Sequence, residues 1–111
     1  MKHYLILLKG KGKLDYSPEQ LQKRLEEYRA WVSKIQENYV SDNRLEQSGA
    51  HIRDRHQIST DGPFLDAKEI IAGFIVIKAF DLQEAIAIAN TSPLLQYFEM
   101  LVRPMIDHES H

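Results

Sequence analysis

Apolar positions recur along the chain with changing periodicity, and each change marks a new element. Tyr4 to Leu8 is a short, continuous, β-favouring run, which predicts a buried first strand. Leu21, Leu25, Tyr28, Val32, Ile35 and Tyr39 then return at helical spacing, with Lys23, Glu26, Glu27, Lys34 and Glu37 turned elsewhere. That pattern predicts an amphipathic helix of about five turns. Its start is written at Ser17-Pro18-Glu19-Gln20: serine as N-cap, proline at the first helical position, and glutamine placed to close a capping box. Tyr16 and Leu21 occupy the two positions of a hydrophobic staple. Trp31 lies beside the stripe rather than in its centre, as a core-edge residue, a pocket wall or a dimer contact.

Ser41-Asp42-Asn43 reads as the end of that helix, and Ser48-Gly49 as a second turn. From Ala50 to Ser59 the alternation is rough, with Ile52 and Ile58 among polar residues, which predicts a polar second strand or hairpin at a sheet edge or lining a wet surface. Ala72 to Phe80 is nearly continuous in apolar character and reads as a strand buried on both faces. Asp81-Leu82-Gln83-Glu84 has the form of a second capping box, and Leu82, Ala85, Ile86 and Ala89 supply a helix face that Pro93 stops. Phe98 to Arg103 alternates as a last strand ending at Pro104, and residues 107–111 read as a frayed tail after a single domain over 1–106. The order βαββαβ fits an α+β ferredoxin-like plait, an antiparallel sheet with both helices on one face. Two helices leave the other face to be wetted, covered by a second copy or used as a pocket, so a homodimer with a cavity between its subunits is expected.

Composition narrows the function classes. The 111 residues suit one domain, and 43% apolar with 27% charged residues is an ordinary globular balance. A net charge of −2 offers no excess of cations to neutralise a phosphate backbone, so nucleic acid is not an expected partner. The absence of cysteine excludes disulfides, thiolate nucleophiles and thiolate metal sites. The longest apolar run, Ile70 to Ile77, is too short to span a membrane, and the N-terminus lacks a signal-peptide core, which predicts a cytoplasmic protein without a membrane partner. His51 and His56 have no third ligand at a helpful spacing, and no metal or other cofactor is expected. The loop of Gly10 and Gly12 among Lys9, Lys11 and Lys13 lacks phosphate-loop spacing and reads as solvated.

Candidate chemistry concentrates between Thr60 and Glu69. Asp61-Gly62-Pro63 specifies a turn, because aspartate can bond its own backbone, glycine tolerates positive φ and proline fixes φ. In one reading Asp61 is a proton acceptor while Lys68 or Arg103 binds an anionic group. In the other, Asp61 caps its own turn and Lys68, Glu69 and Arg103 form ion pairs that hold the loop. The corresponding functions are a small-molecule enzyme or binding protein, with a pocket at the dimer cleft lined by Trp31, Asp61, Phe64, Lys68, Glu69 and Arg103, and a non-catalytic dimerisation or regulatory module.

Thr60-Asp61-Gly62-Pro63-Phe64, Lys68-Glu69, Gly73-Phe74, the helix start Asp81 to Ala85, Pro93 and Val102-Arg103-Pro104 together resemble the DGPF branch of the YCII-related proteins. The resemblance extends from Ser17-Pro18-Glu19 through Arg44-Leu45-Glu46 to Arg103-Pro104. It implies a dimeric α/β-barrel-like assembly of ferredoxin-like protomers. It also implies that some relatives use a histidine–aspartate pair for lyase or dehalogenation-type chemistry, whereas most of the branch has no assigned activity. Asp61 matches the family's turn aspartate. The part of the helix where relatives carry the histidine holds Tyr28, Trp31 and Val32, and Leu101 stands where much of the branch has glutamate.

Overall fold

In the computed structural model, which describes residues 1–12, 15–60 and 70–106, the strongest local signals become elements close to where the sequence puts them. Strand β1 spans Lys2–Gly10 and helix α1 spans Pro18–Lys34. The capping box closes as expected: the Gln20 N–H donates to Ser17 Oγ at 3.1 Å and the Ser17 N–H to Gln20 Oε1 at 2.8 Å. Strand β2 is Tyr39–Arg44, and β3 (His51–Asp54) and β4 (Gln57–Ser59) form a hairpin. Strand β5 is Ile71–Ala79, helix α2 is Leu82–Ala89, a 3-10 turn covers Pro93–Gln96, and β6 is Phe98–Pro104.

The main sheet is antiparallel in the order β2-β5-β1-β6, the plait expected from βαββαβ, with both helices on one face. Its second strand differs from expectation. The segment 50–59 makes a separate two-stranded sheet, while Tyr39–Arg44, which the turn-forming residues mark as a helix end, supplies the edge of the main sheet. The helix stops at Lys34, so Tyr39 belongs to a strand and not to the helical stripe. Asn38 explains the switch: its N–H donates to the Ile35 carbonyl at 2.8 Å, its side-chain amide donates to the Lys78 carbonyl at 3.0 Å, and its own carbonyl accepts from the Lys78 N–H at 2.8 Å. The chain is thereby clamped to β5 immediately after the helix. A polar edge strand needs only one hydrogen-bonded neighbour, and tertiary pairing here overrides low β-propensity.

Period-2 alternation divides β1 and β5 into two faces. Tyr4, Ile6 and Leu8 from β1 and Ile75, Ile77 and Ala79 from β5 point toward the helices and are buried with Trp31, Ile35, Ala85, Ala89 and Leu94. Leu5, Leu7, Phe74 and Val76 point the other way and are half-buried, so within the protomer β5 is buried on one face rather than two. Helix α2 meets the sheet through alanines, and Leu82 and Ile86 remain exposed. Asp81 Oδ1 accepts from the Glu84 N–H at 2.8 Å as an N-cap, but Glu84 Oε1 reaches past it to the Phe80 N–H at 3.3 Å. At the far end of β1, Gly12 adopts φ 107°, where glycine is favoured, and Lys11 Nζ donates to the Leu95 carbonyl at 2.8 Å. Lys11 therefore ties the end of β1 to the 3-10 turn.

Gly73 sets how closely β2 approaches. A Cβ added there would lie 2.7 Å from the Asn43 carbonyl oxygen and 3.3 Å from Arg44 Cα, both backbone atoms that cannot swing aside. Gly73→Ala is expected to destabilise the protein by about 1–3 kcal/mol by displacing the edge strand. Chemical denaturation checks the size of the effect, and faster amide exchange confined to residues 41–44 checks its location.

Candidate functional site

A cleft of about 300 Å³ opens between the N-terminal half of α1 and the end of the sheet where β2 meets β5. Leu8, Leu21, Leu25, Ile70, Ile75 and Phe98 form its apolar walls. Its charged groups come from two elements, Arg24 from α1 and Asp42 and Arg44 from β2, and Tyr28 of α1, Tyr16, Asn43 and Gln47 add polar atoms. Residues 24 and 28 follow Leu21 by three and seven positions, which places them on the helix face turned to the sheet. Asp42 pairs in register with buried Ile75, and Arg44 with Gly73, so both project to the helix side. This volume is at the small end of ligand pockets, and an apolar lining with few convergent polar groups is their usual chemistry.

Asp42 is the hub of a hydrogen-bond cluster. Its Oδ2 accepts the Tyr28 hydroxyl from α1 and the Tyr39 hydroxyl, at 2.7 Å, from its own strand. Burial and the hydrogen bond to Asp42 push the Tyr28 phenol far above its ordinary value, and the same causes push Tyr39 up to about 12. Both tyrosines therefore stay protonated near neutrality and act as donors. The Tyr28 ring lies 6.0 Å from that of Trp31, which joins the cluster to the core.

Arg24 occupies an aromatic enclosure. Its Cζ lies 5.1 Å from the Phe98 ring centroid, 5.4 Å from Tyr16 and 5.6 Å from Tyr97, all within cation–π range. Tyr16 and Tyr97 meet edge to face at 5.8 Å, and the Tyr97 hydroxyl donates to Glu27 Oε1 at 2.9 Å. Burial holds the Arg24 pKa below its ordinary value, and the nearby Arg44 charge lowers it further.

The residues singled out by sequence fall in several places. Trp31 is 3% exposed, its indole N–H donating to Thr91 Oγ1 at 2.8 Å; it pins α1 to the end of α2 and is absent from the walls of the Arg24–Asp42 cleft. Arg103 pairs in register with Leu5 and so lies on the face away from the helices. Within a protomer the sheet separates it from Trp31. Asp61, Phe64, Lys68 and Glu69 lie outside the described residues; the chain is next described at Ile70, which lines the cleft. His51 and His56 belong to the exposed hairpin, where Ile52 and Ile58 pair across the strands at 64% and 54% exposure. Among the described residues, no three histidine, aspartate or glutamate side chains come together as a metal site, and no helix is long and apolar enough to cross a membrane.

The model of the YCII-related domain matches residues 3–106. The chain belongs to the YCII-related family. No curated protein matches this YCII-related chain in sequence. Among solved structures it is similar to 5-chloro-2-hydroxyhydroquinone dehydrochlorinase from Burkholderia phenoliruptrix AC1100 in complex with 2,5-dihydroxybenzoquinone. That match has 16% identity, 98% coverage of each chain and a TM-score of 0.55. At this identity the likeness shows the shared α+β fold. In this YCII-related protein, Tyr28 of α1 donates to a carboxylate in the cleft. Arg24 could have been suspected from sequence, since a cation at position 24 interrupts the apolar series Leu21, Leu25, Tyr28. Asp42 could not, because its significance depends on β2 being a strand.

The tyrosine cluster gives a signed pH dependence. Both phenols titrate higher in the folded chain than their ordinary value of 10.0, so the folded state binds those protons more tightly. Their contribution to stability is complete below pH 10 and declines as the pH rises above it, through about 12 for Tyr39 and beyond that for Tyr28. Denaturation midpoints measured across that alkaline range should fall, and Tyr28→Phe/Tyr39→Phe should flatten the fall.

Proposed function

We propose that this protein binds a small ring-sized molecule in the cleft beneath α1 and performs lyase-type acid–base chemistry on it, with Asp42 as proton acceptor and Tyr28 as its hydrogen-bonding partner. The observation that carries this reading is the Tyr28–Asp42–Tyr39 cluster at a cleft whose walls are largely apolar. A carboxylate on a rigid strand, oriented by two hydroxyls and beside space for a ligand, satisfies the geometric needs of a general base. The fold shared with a dehydrochlorinase bound to a dihydroxybenzoquinone supports the same class of chemistry. In such an elimination Asp42 takes a proton from carbon, the C–H electron pair becomes the new double bond, and the leaving group departs from the adjacent carbon with its own pair. Asp61, Phe64, Lys68, Glu69 and Arg103 belong to the proposal as sequence-based candidates, with Asp61 a second possible carboxylate for the proton.

The proposal includes a homodimer closed through the open sheet face. Leu5, Leu7, Phe74 and Val76 are half-buried there and Leu101 is 46% exposed, an apolar surface of the kind a second copy would cover. Leu101→Asp is expected to convert a dimer to a monomer in sedimentation, and an unchanged mass would remove this face from consideration.

A thermal-shift screen with hydroxylated quinones and hydroquinones tests the cleft, because a ligand that binds only the native state raises Tm. Wild type should show a shift, and a ligand that shifts it should then be assayed for turnover. Asp42→Asn should remove turnover by about 100-fold or more while the protein stays folded; Asp61→Asn run beside it identifies which carboxylate takes the proton. If both variants merely lower Tm and no compound binds wild type, the protein is a non-catalytic assembly module.

A further inference from the structure

We infer that Arg24 and Arg44 form an anion clamp at the cleft, and that the ligand carries a planar anionic oxygen group, a carboxylate or a phenolate, on its small ring. The inference rests on the cleft being the binding site and goes on to name the charge of what enters it. Arg24 comes from the helix and Arg44 from the edge strand, and both line the same cavity. Among the described residues Arg24 makes contacts with three rings and neither a hydrogen bond nor an ion pair. Asp42, the carboxylate in the same cavity, has its Oδ2 engaged by Tyr28 and Tyr39 and is absent from the charges that act on Arg24.

This is an unusual way to bury a cation. A half-buried guanidinium loses hydration, and proteins ordinarily repay that loss with a carboxylate. Here the neighbouring charge is Arg44, which repels it. The rings of Tyr16, Tyr97 and Phe98 hold Arg24 in place and offset part of the loss through their π faces, but they carry no net charge. An anion between the two guanidiniums would remove both the desolvation of Arg24 and its repulsion from Arg44. Arginine suits that role because its fork of coplanar N–H donors matches a carboxylate in bidentate geometry, which a lysine ammonium does not. The apolar walls Leu21, Leu25 and Phe98 then receive the ring. Gly73 takes part indirectly: the close approach of β2 at Asn43 and Arg44 depends on its lack of a side chain, which makes Gly73 a positioning residue for Arg44.

Calorimetric titration with two matched pairs tests the clamp: benzoate against benzamide, and 4-nitrophenolate, ionised at the assay pH, against nitrobenzene. Wild type should bind the anions at least about tenfold tighter than their neutral counterparts, with affinity falling as salt is raised. Arg44→Gln, at an exposed edge-strand position, should cost the anions about tenfold and leave the neutral compounds unchanged. Arg24→Lys keeps the charge but loses the fork, and should weaken benzoate more than 4-nitrophenolate. Equal binding of anionic and neutral rings, unaffected by Arg44→Gln but abolished by the cleft-filling Leu25→Trp, would overturn the clamp and leave the cleft standing. Failure of all four compounds to bind folded wild type would overturn both.

Discussion

Strands β1 and β5 run side by side through the middle of the sheet, and their pairing positions everything else in the protein. Ile6 opposite Ile75 and Tyr4 opposite Ile77 place the largest fully buried side chains beneath the helices. Close packing of those side chains leaves little freedom in where α1 can lie. Because α1 is fixed over the sheet, Arg24 and Tyr28 project at a set height above β2. Because β5 has a free edge, Tyr39–Arg44 can add to it and bring Asp42 beneath Tyr28. The cleft is thus a by-product of core packing, formed where the helix begins and the alternating apolar face of the sheet runs out.

The parts of this arrangement that were legible in the sequence are those governed by local rules. Ser17 and Gln20 announce the start of α1 because a capping box is satisfied within four residues. The apolar runs of β1 and β5 announce strands because burial is written in consecutive residues, and the alternation then divides each into a buried and a half-buried face. Tyr39–Arg44 was illegible, since serine, aspartate and asparagine favour turns and the strand exists only by virtue of the β5 edge. The role of Asp42 was illegible with it. Tyr28 looks like one more member of a helical stripe until Asp42, fourteen residues on, is known to face it. Trp31 had three readings in sequence, and its indole bond to Thr91 makes it the joint between the two helices.

Electrostatics and packing divide the cleft into two halves with different tasks. On the β2 side, Asp42 is surrounded by hydroxyl donors that orient it. On the helix side, Arg24 is surrounded by rings that position it without neutralising it. A negative and a positive centre therefore share one small cavity, each with its neighbours already committed. Preorganisation of this kind spares a ligand the work of reorienting side chains on arrival.

The composition of β2 has a consequence for how the protein behaves at high concentration. An edge strand exposes a row of backbone donors and acceptors that could recruit the edge of another molecule and begin a fibril. Ser41, Asp42, Asn43 and Arg44 put polar and oppositely charged side chains along that row, and all four are exposed. At the opposite edge, β6 ends on Pro104, which has no N–H to donate. Asp42 and Arg44, which furnish the β2 side of the cleft with charge, therefore also act as gatekeepers against aggregation, so a substitution that alters the charge of the cleft also alters the protection of the edge.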